Sequence, residues 1–187
     1  MFKDRPRDEE MKTYTTNENK SEWGEGPWVD EPDKVVWVDP ATNLDCMIHR
    51  NQVGAWCGYV GVPNTHPDYG KEYDNVDVEV HGSLTYSNKC QTQATEEHGI
   101  CHVPEPGREH DIWWLGFDCA HAFDLAPQME AHTRKMYEPG GPLADRKEEH
   151  DRIMEGDHLL PRTTYKDMHY AMHEVENLAI QINERDK

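Results

Sequence analysis

The sequence holds no apolar run near the roughly 18 residues a membrane-crossing helix needs, so a transmembrane span is excluded. Its opening, MFKDRPRDEEMKTYTTNENK, lacks the apolar core of a secretory leader, and no such leader is expected. Basic residues are scarce. There are 19 Lys and Arg against 37 Asp and Glu, a net charge of −18 at pH 7. Such a surface repels nucleic-acid phosphates and anionic membrane faces, which argues against direct nucleic-acid or membrane binding. It suits plain solubility, cation binding, or docking onto a basic protein. No CxxC pair occurs among the cysteines (Cys46, Cys57, Cys90, Cys101 and Cys119), which disfavours a zinc ribbon or finger. Five is an odd number, so complete pairing is impossible, and a reducing cytoplasm, the expected location, keeps thiols free. The expectation is a chain without stable disulfides. Hydrophobic residues are also few, at 35%. That is below the roughly 45–50% of ordinary domains, a range that also counts Gly, and it points to a thin core, long polar loops or disordered ends.

Against these shortages stand six Trp and eight Tyr, too many for wholesale disorder. A chain of 187 residues accommodates one domain with a sizeable core. Residues 1–33 are polar and aperiodic and read as an N-terminal arm, pinned by Trp23 and Trp28. Residues 34–187 read as a single α+β domain. KVVWV (34–38), residues 46–50 and residues 53–62 are β-prone, with Gly54, Gly58 and Gly61 marking bulges or a close backbone approach. VDVEV (76–80) alternates with period two, as a half-exposed strand does. DIWWLGFD (111–118) is the most apolar run and is expected as the central strand. Trp113 and Trp114 must then face opposite layers. Weak helical patterns cover Gln128–Tyr137 and Leu143–Glu155. Beyond them Met168, Ala171, Met172, Val175, Leu178, Ala179 and Ile182 recur at helical spacing, with Thr164 as the expected cap. The predicted fold is α+β: an antiparallel or mixed sheet covered by a C-terminal amphipathic helix.

The blocks CGYVGVP, HPDYGKEYD, VHGSLTYS and WWLGFDCAH, with the terminal YKDMHYAMHEVENLAIQI, occur in this order. Together they resemble a family of small uncharacterised bacteriophage-encoded proteins with CGYV, HPxYG, VHGxLTY and GFDxAH blocks. The resemblance covers about residues 46–125 and the last helix. It implies phage origin and action in the host cytoplasm, and it supplies no mechanism. Ser83 stands where that pattern has a second Gly, which would stiffen the turn.

The residues that carry chemistry centre on DCAHAFD. If this segment is helical, Asp118, His121 and Asp124 at i, i+3 and i+6 share one face. Two carboxylates and an imidazole could hold a divalent metal (Zn, Mn or Mg), or an Asp could orient His121 as a general base. In the plainer alternative Asp118 caps a turn and the other two bond locally. His81 ends the face shared by Asp77 and Glu79, which lines either a cleft or a solvated sheet. The loop THPDYGKEYD offers His66, Tyr69 and Lys71 as a substrate clamp or lid, or is an ordinary surface loop. Cys57 and Cys119 read as small buried residues. Cys90, His98, Cys101 and His102 match no common zinc spacing, and His169 and His173 fit a solvated helix face.

These residues support a metal- or His/Asp-dependent hydrolase with His81, Asp118 and His121 as catalytic groups and Asp118, His121 and Asp124 as metal ligands. By analogy with phage biology the substrate would be a phosphate ester or nucleotide. The rival is a non-catalytic acidic protein that inhibits a basic host protein in an anti-defence role. The acids are dispersed rather than gathered on one face, which weighs against charge mimicry.

Overall fold

In the computed structural model, which describes residues 11–91, 93–104, 106–108, 110–156 and 163–186, the β-prone runs assemble into one six-stranded sheet. The strands are β1 (Lys12–Tyr14), β2 (Lys34–Val38), β3 (Asp45–Arg50), β4 (Trp56–Pro63), β5 (Tyr86–Lys89) and β6 (Ile112–Asp118). Their spatial order is β1-β2-β3-β4-β6-β5, and every pairing is antiparallel. Among the described residues three α-helices follow: α1 (Pro127–Tyr137), α2 (Lys147–Gly156) and α3 (Met168–Glu184). The class is α+β. No helix among the described residues is long and apolar enough to cross a membrane.

Alternation along each strand sorts side chains between two faces. Val35, Trp37, Cys46, Ile48, Trp56, Val60, Leu115 and Phe117 face α3, which buries Ala171, Met172, Val175, Leu178, Ala179 and Ile182 against them. A Cβ at Gly58 would come within 2.5 Å of Phe117 and Val175, so the missing side chain lets α3 settle onto β4. The opposite face carries Val36, Met47, Cys57, Tyr59, Ile112 and Trp114, with Cys90 and Ile100 packed over it. Trp113 and Trp114 do divide between the layers. β6 lies one strand in from the edge rather than at the centre, which β3 and β4 occupy.

Four local expectations are corrected. Residues 76–80 form no ladder. The Gln181 side-chain amide takes the place of a neighbouring strand, accepting from Glu79 N–H (2.8 Å) and donating to the Glu79 carbonyl (2.7 Å). The alternation survives, with Val76, Val78 and Val80 packed on the core beside α3. The α3 cap is Asp167, which accepts from the Tyr170 N–H at 2.8 Å; Thr164 instead bridges to Asp124. Residues 12–33 are built into the domain: β1 pairs with β2, and Trp23 and Trp28 are buried with Ala131. Residues 1–10 lie outside the described residues.

Finally, Cys90 and Cys101 are joined in a disulfide, against the expectation that no stable one forms. The odd count forbids complete pairing, not one pair; Cys46, Cys57 and Cys119 remain free and buried. The bridged segment is closed further by the buried Lys34 ammonium, which donates to the carbonyls of Glu96, Gly99 and Cys101. Burial pulls Lys34 down to about 8.

A buried ionic network ties residues 20–33 to the sheet and to α3. Arg50 donates to Glu31 (2.8 Å), the Gly54 carbonyl and the Tyr165 hydroxyl, and lies 3.3 Å from Asp33 and 4.2 Å over the Trp56 ring. Glu31 in turn accepts from the Met168 N–H at the start of α3. Burial works against ionisation of Glu31, but hydrogen bonds from Met168, Tyr165 and Arg50 hold its carboxyl below the ordinary range.

Candidate active site at His81, His121 and Asp124

The segment after β6 is a turn and not the helix that the D-x-x-H-x-x-D spacing allows. Pro127 opens α1, and upstream of it the backbone bridges Thr164 in extended form, with Leu125 N–H donating to the Thr164 carbonyl and Thr164 N–H to Phe123. The turn is closed by Asp124 itself, whose Oδ2 accepts from the His121 N–H at 3.0 Å. Asp118 caps the start: Oδ1 accepts from Ala120 N–H (3.0 Å) and Oδ2 from the Thr85 hydroxyl (2.9 Å).

His81 reaches this turn from a separate loop. Gly82 (φ 65°) and Ser83 (φ 75°) both take left-handed backbone there, and Ser83 N–H donates to the Val80 carbonyl. A Cβ at Gly82 would sit 2.0 Å from the His121 ring, so glycine is required on two counts. α3 holds the loop: Glu174 accepts from His81 N–H at 2.9 Å.

His81 Nε2 lies 2.7 Å from Asp124 Oδ2, and His81 Nδ1 lies 2.9 Å from the Tyr170 hydroxyl. A carboxylate only accepts, so Nε2–H donates to Asp124, and in the neutral ring Nδ1 then accepts from Tyr170. Burial first, then the charges of Glu174, Cys119 and Asp124, push Tyr170 up to about 12, so it stays a phenol at neutral pH. Asp124 has a side chain only 4% exposed. Burial opposes its ionisation, but hydrogen bonds from His81 and the His121 N–H, with the charges of His81 and Lys166, hold it below the ordinary carboxylate range. His121 packs edge-on to His81, with ring centres 5.4 Å apart. Its Nδ1 is buried without a hydrogen-bond partner, 3.5 Å from Asp124 Oδ2. One ligand atom from each of His81, His121 and Asp124 lies within 4.8 Å of the others. Asp118 stands outside this group, 4.0 Å from His121 Nδ1. A cleft of about 300 Å3 opens beside His121 and Asp124.

The His66 loop does not cover this site. His66 accepts at Nδ1 from Asp68 N–H (3.0 Å) and meets the Ile182 carbonyl at Nε2 (3.1 Å), so it fastens the last turn of α3. Tyr69 donates to Asp111 ahead of β6, and Lys71 pairs with Asp68. Ile182 is twelve residues along α3 from Tyr170, about 18 Å at 1.5 Å per residue. His66, Tyr69 and Lys71 therefore serve the opposite end of the domain. Asp68 is locked there by Arg185 at 2.6 Å. Burial raises the Cys119 thiol and takes Cys57 up to about 12, as inert core positions. Cys90 and Cys101 are bonded to each other, so they are not thiolate ligands. Sequence reasoning missed Tyr170, Glu174 and Lys166. Tyr170 falls between Met168 and Ala171 of the α3 stripe, and nothing in its spacing marks a partner for His81.

Comparison with known proteins finds no matching family model, no matching curated protein and no matching solved structure.

Proposed function

We propose that this protein is a metal-dependent hydrolase whose centre is His81, His121 and Asp124. The observation that carries the reading is the convergence of three ligand atoms within 4.8 Å, with His121 Nδ1 buried and unsatisfied among them. Two imidazoles with one carboxylate favour Zn2+ or Mn2+ over Mg2+, which prefers oxygen donors. Three protein ligands leave a position for water, as in catalytic zinc sites, where the bound water ionises near pH 7. For His81 to ligate through Nε2, its ring hydrogen moves to Nδ1, where the Tyr170 oxygen accepts it. Tyr170 then orients the ligand. Asp118 holds the turn through Ala120 and Thr85 and is not a ligand in this reading.

In a metal-free His–Asp reading the base would be His121, whose Nδ1 lies 3.5 Å from Asp124 Oδ2, since both ring nitrogens of His81 are already engaged. A phage-encoded enzyme acting in the host cytoplasm is the setting the resemblance implies.

The test is metal analysis of protein purified without chelator or metal-affinity steps, alongside His121→Ala. One equivalent of metal in the parent is expected, with affinity more than about tenfold weaker in the variant. Added Zn2+ or Mn2+ should also raise the melting temperature of the parent through linkage. Absence of metal together with no thermal response to Zn2+, Mn2+ or Mg2+ would sink the proposal, and a co-purifying basic protein would then favour the inhibitor reading.

A further inference from the structure

The cleft beside the candidate metal centre has a chemistry of its own. Ala120, Ala122, Leu125, Ala126 and Met129 line it, with Thr133, Thr163 and Glu130 as its other polar members besides His121 and Asp124. Met129 is 52% exposed, and Phe123, on the same turn as His121, is 53% exposed. Among the described residues no Lys or Arg lines the cleft. The other common anion anchor is a helix N-terminus, and α1 begins here. Its first N–H groups are already used: Gln128 and Met129 donate to the Val53 carbonyl, and Glu130 to Ala126. Glu130 also sets a negative charge in that first turn. Lys166, which approaches Asp124 at 4.0 Å, is committed to Thr164 (3.0 Å) and lies over the Tyr170 ring.

Among the described residues a phosphate ester or nucleotide thus finds no basic anchor in this cleft beside the metal itself. We infer that the cleft takes the apolar acyl group of an uncharged carboxylic ester or amide, an inference that rests on the metal-dependent reading above. A volume of about 300 Å3 holds a group somewhat larger than benzene, which fills an apolar cavity of roughly 150 Å3. The reaction balances as water adding through oxygen to the acyl carbon while the C–O or C–N bond breaks. The products are a carboxylic acid and an alcohol or amine, with the protons of water divided between them.

The experiment uses the full chain, labelled with 13C at Met and Ala methyl groups, with and without zinc. On the zinc-loaded protein, benzohydroxamate should bind about tenfold tighter than acetohydroxamate, the gain expected for roughly two methylenes' worth of buried apolar surface. Met129, Ala122 and Ala126 methyl signals should shift as it binds. Met129→Glu should abolish the preference while zinc affinity stays unchanged. Equal binding of the two hydroxamates, or inorganic phosphate moving the same methyl signals as strongly, would overturn the inference. Should zinc itself fail to bind, the metal reading falls on that titration alone. The cleft is then judged on zinc-free protein with benzamide, where saturable shifts of Met129 and Ala126 support it and their absence overturns it.

Discussion

Replacing Arg50 with Met isolates the network that ties residues 20–33 to the sheet and to the start of α3. Met fills part of the aliphatic volume over Trp56 and removes every charge-assisted bond. The Arg50 side chain is 3% exposed, and its partners Glu31 and Asp33 are 12% and 4% exposed. Breaking one partner from such a buried set costs about 3–5 kcal/mol. That is about a fifth or more of the ~5–15 kcal/mol that holds a typical domain folded. Urea unfolding followed by Trp fluorescence measures it directly, since Trp23 and Trp56 both lie against Arg50. The pH dependence provides a second check. Glu31 in the folded parent lies below its ordinary 4.5, so its contribution is fully present above that value and is lost as pH falls through the folded one. Without Arg50 its hydrogen bond and charge no longer help hold Glu31 down, Glu31 moves upward, and the variant loses less stability than the parent as Glu31 takes up a proton. The gap between parent and variant should therefore narrow from pH 7 to pH 4. A loss below about 1 kcal/mol, or a gap that does not change with pH, would refute the reasoning.

Gly82→Ala should cost about 1–2 kcal/mol from left-handed backbone and displace His121, weakening zinc binding more than about tenfold in a calorimetric titration; an unchanged affinity would separate the two loops. Ser83→Gly relieves the neighbouring strain and should raise the urea midpoint modestly. Breaking Cys90–Cys101 by Cys101→Ser should lower stability by about 2–3 kcal/mol, as expected for a loop of eleven residues, and remove any response of the parent's urea midpoint to a reductant; a parent indifferent to reductant would contradict it.

Local pattern carried much of the fold. The strands expected at 34–38, 46–50, 53–62 and 111–118 are legible as apolar, β-prone runs and lie at 34–38, 45–50, 56–63 and 112–118, buried on both faces, while the stripe of α3 is legible from its helical period. The pattern misled where long-range geometry intervened. Residues 76–80 alternate like a strand, yet their backbone is satisfied by Gln181, 102 positions from Glu79. Asp118, His121 and Asp124 have helical spacing, yet the bridge to Thr164 and the start of α1 at Pro127 leave only a turn. The cysteine count spoke to parity and could not exclude one pair.

Composition and period by themselves determined a strongly acidic α+β chain, with a sheet under a C-terminal amphipathic helix and reactive side chains gathered after its most apolar strand. Only the tertiary structure decided which of those side chains meet. It set His81 against Asp124, across 43 residues, and Tyr170 against His81, across 89. It also sent His66 to the far end of α3. The reason is physical: periodicity reports which face of an element is buried, and the meeting of two loops depends on where packing sets the ends of those elements in space.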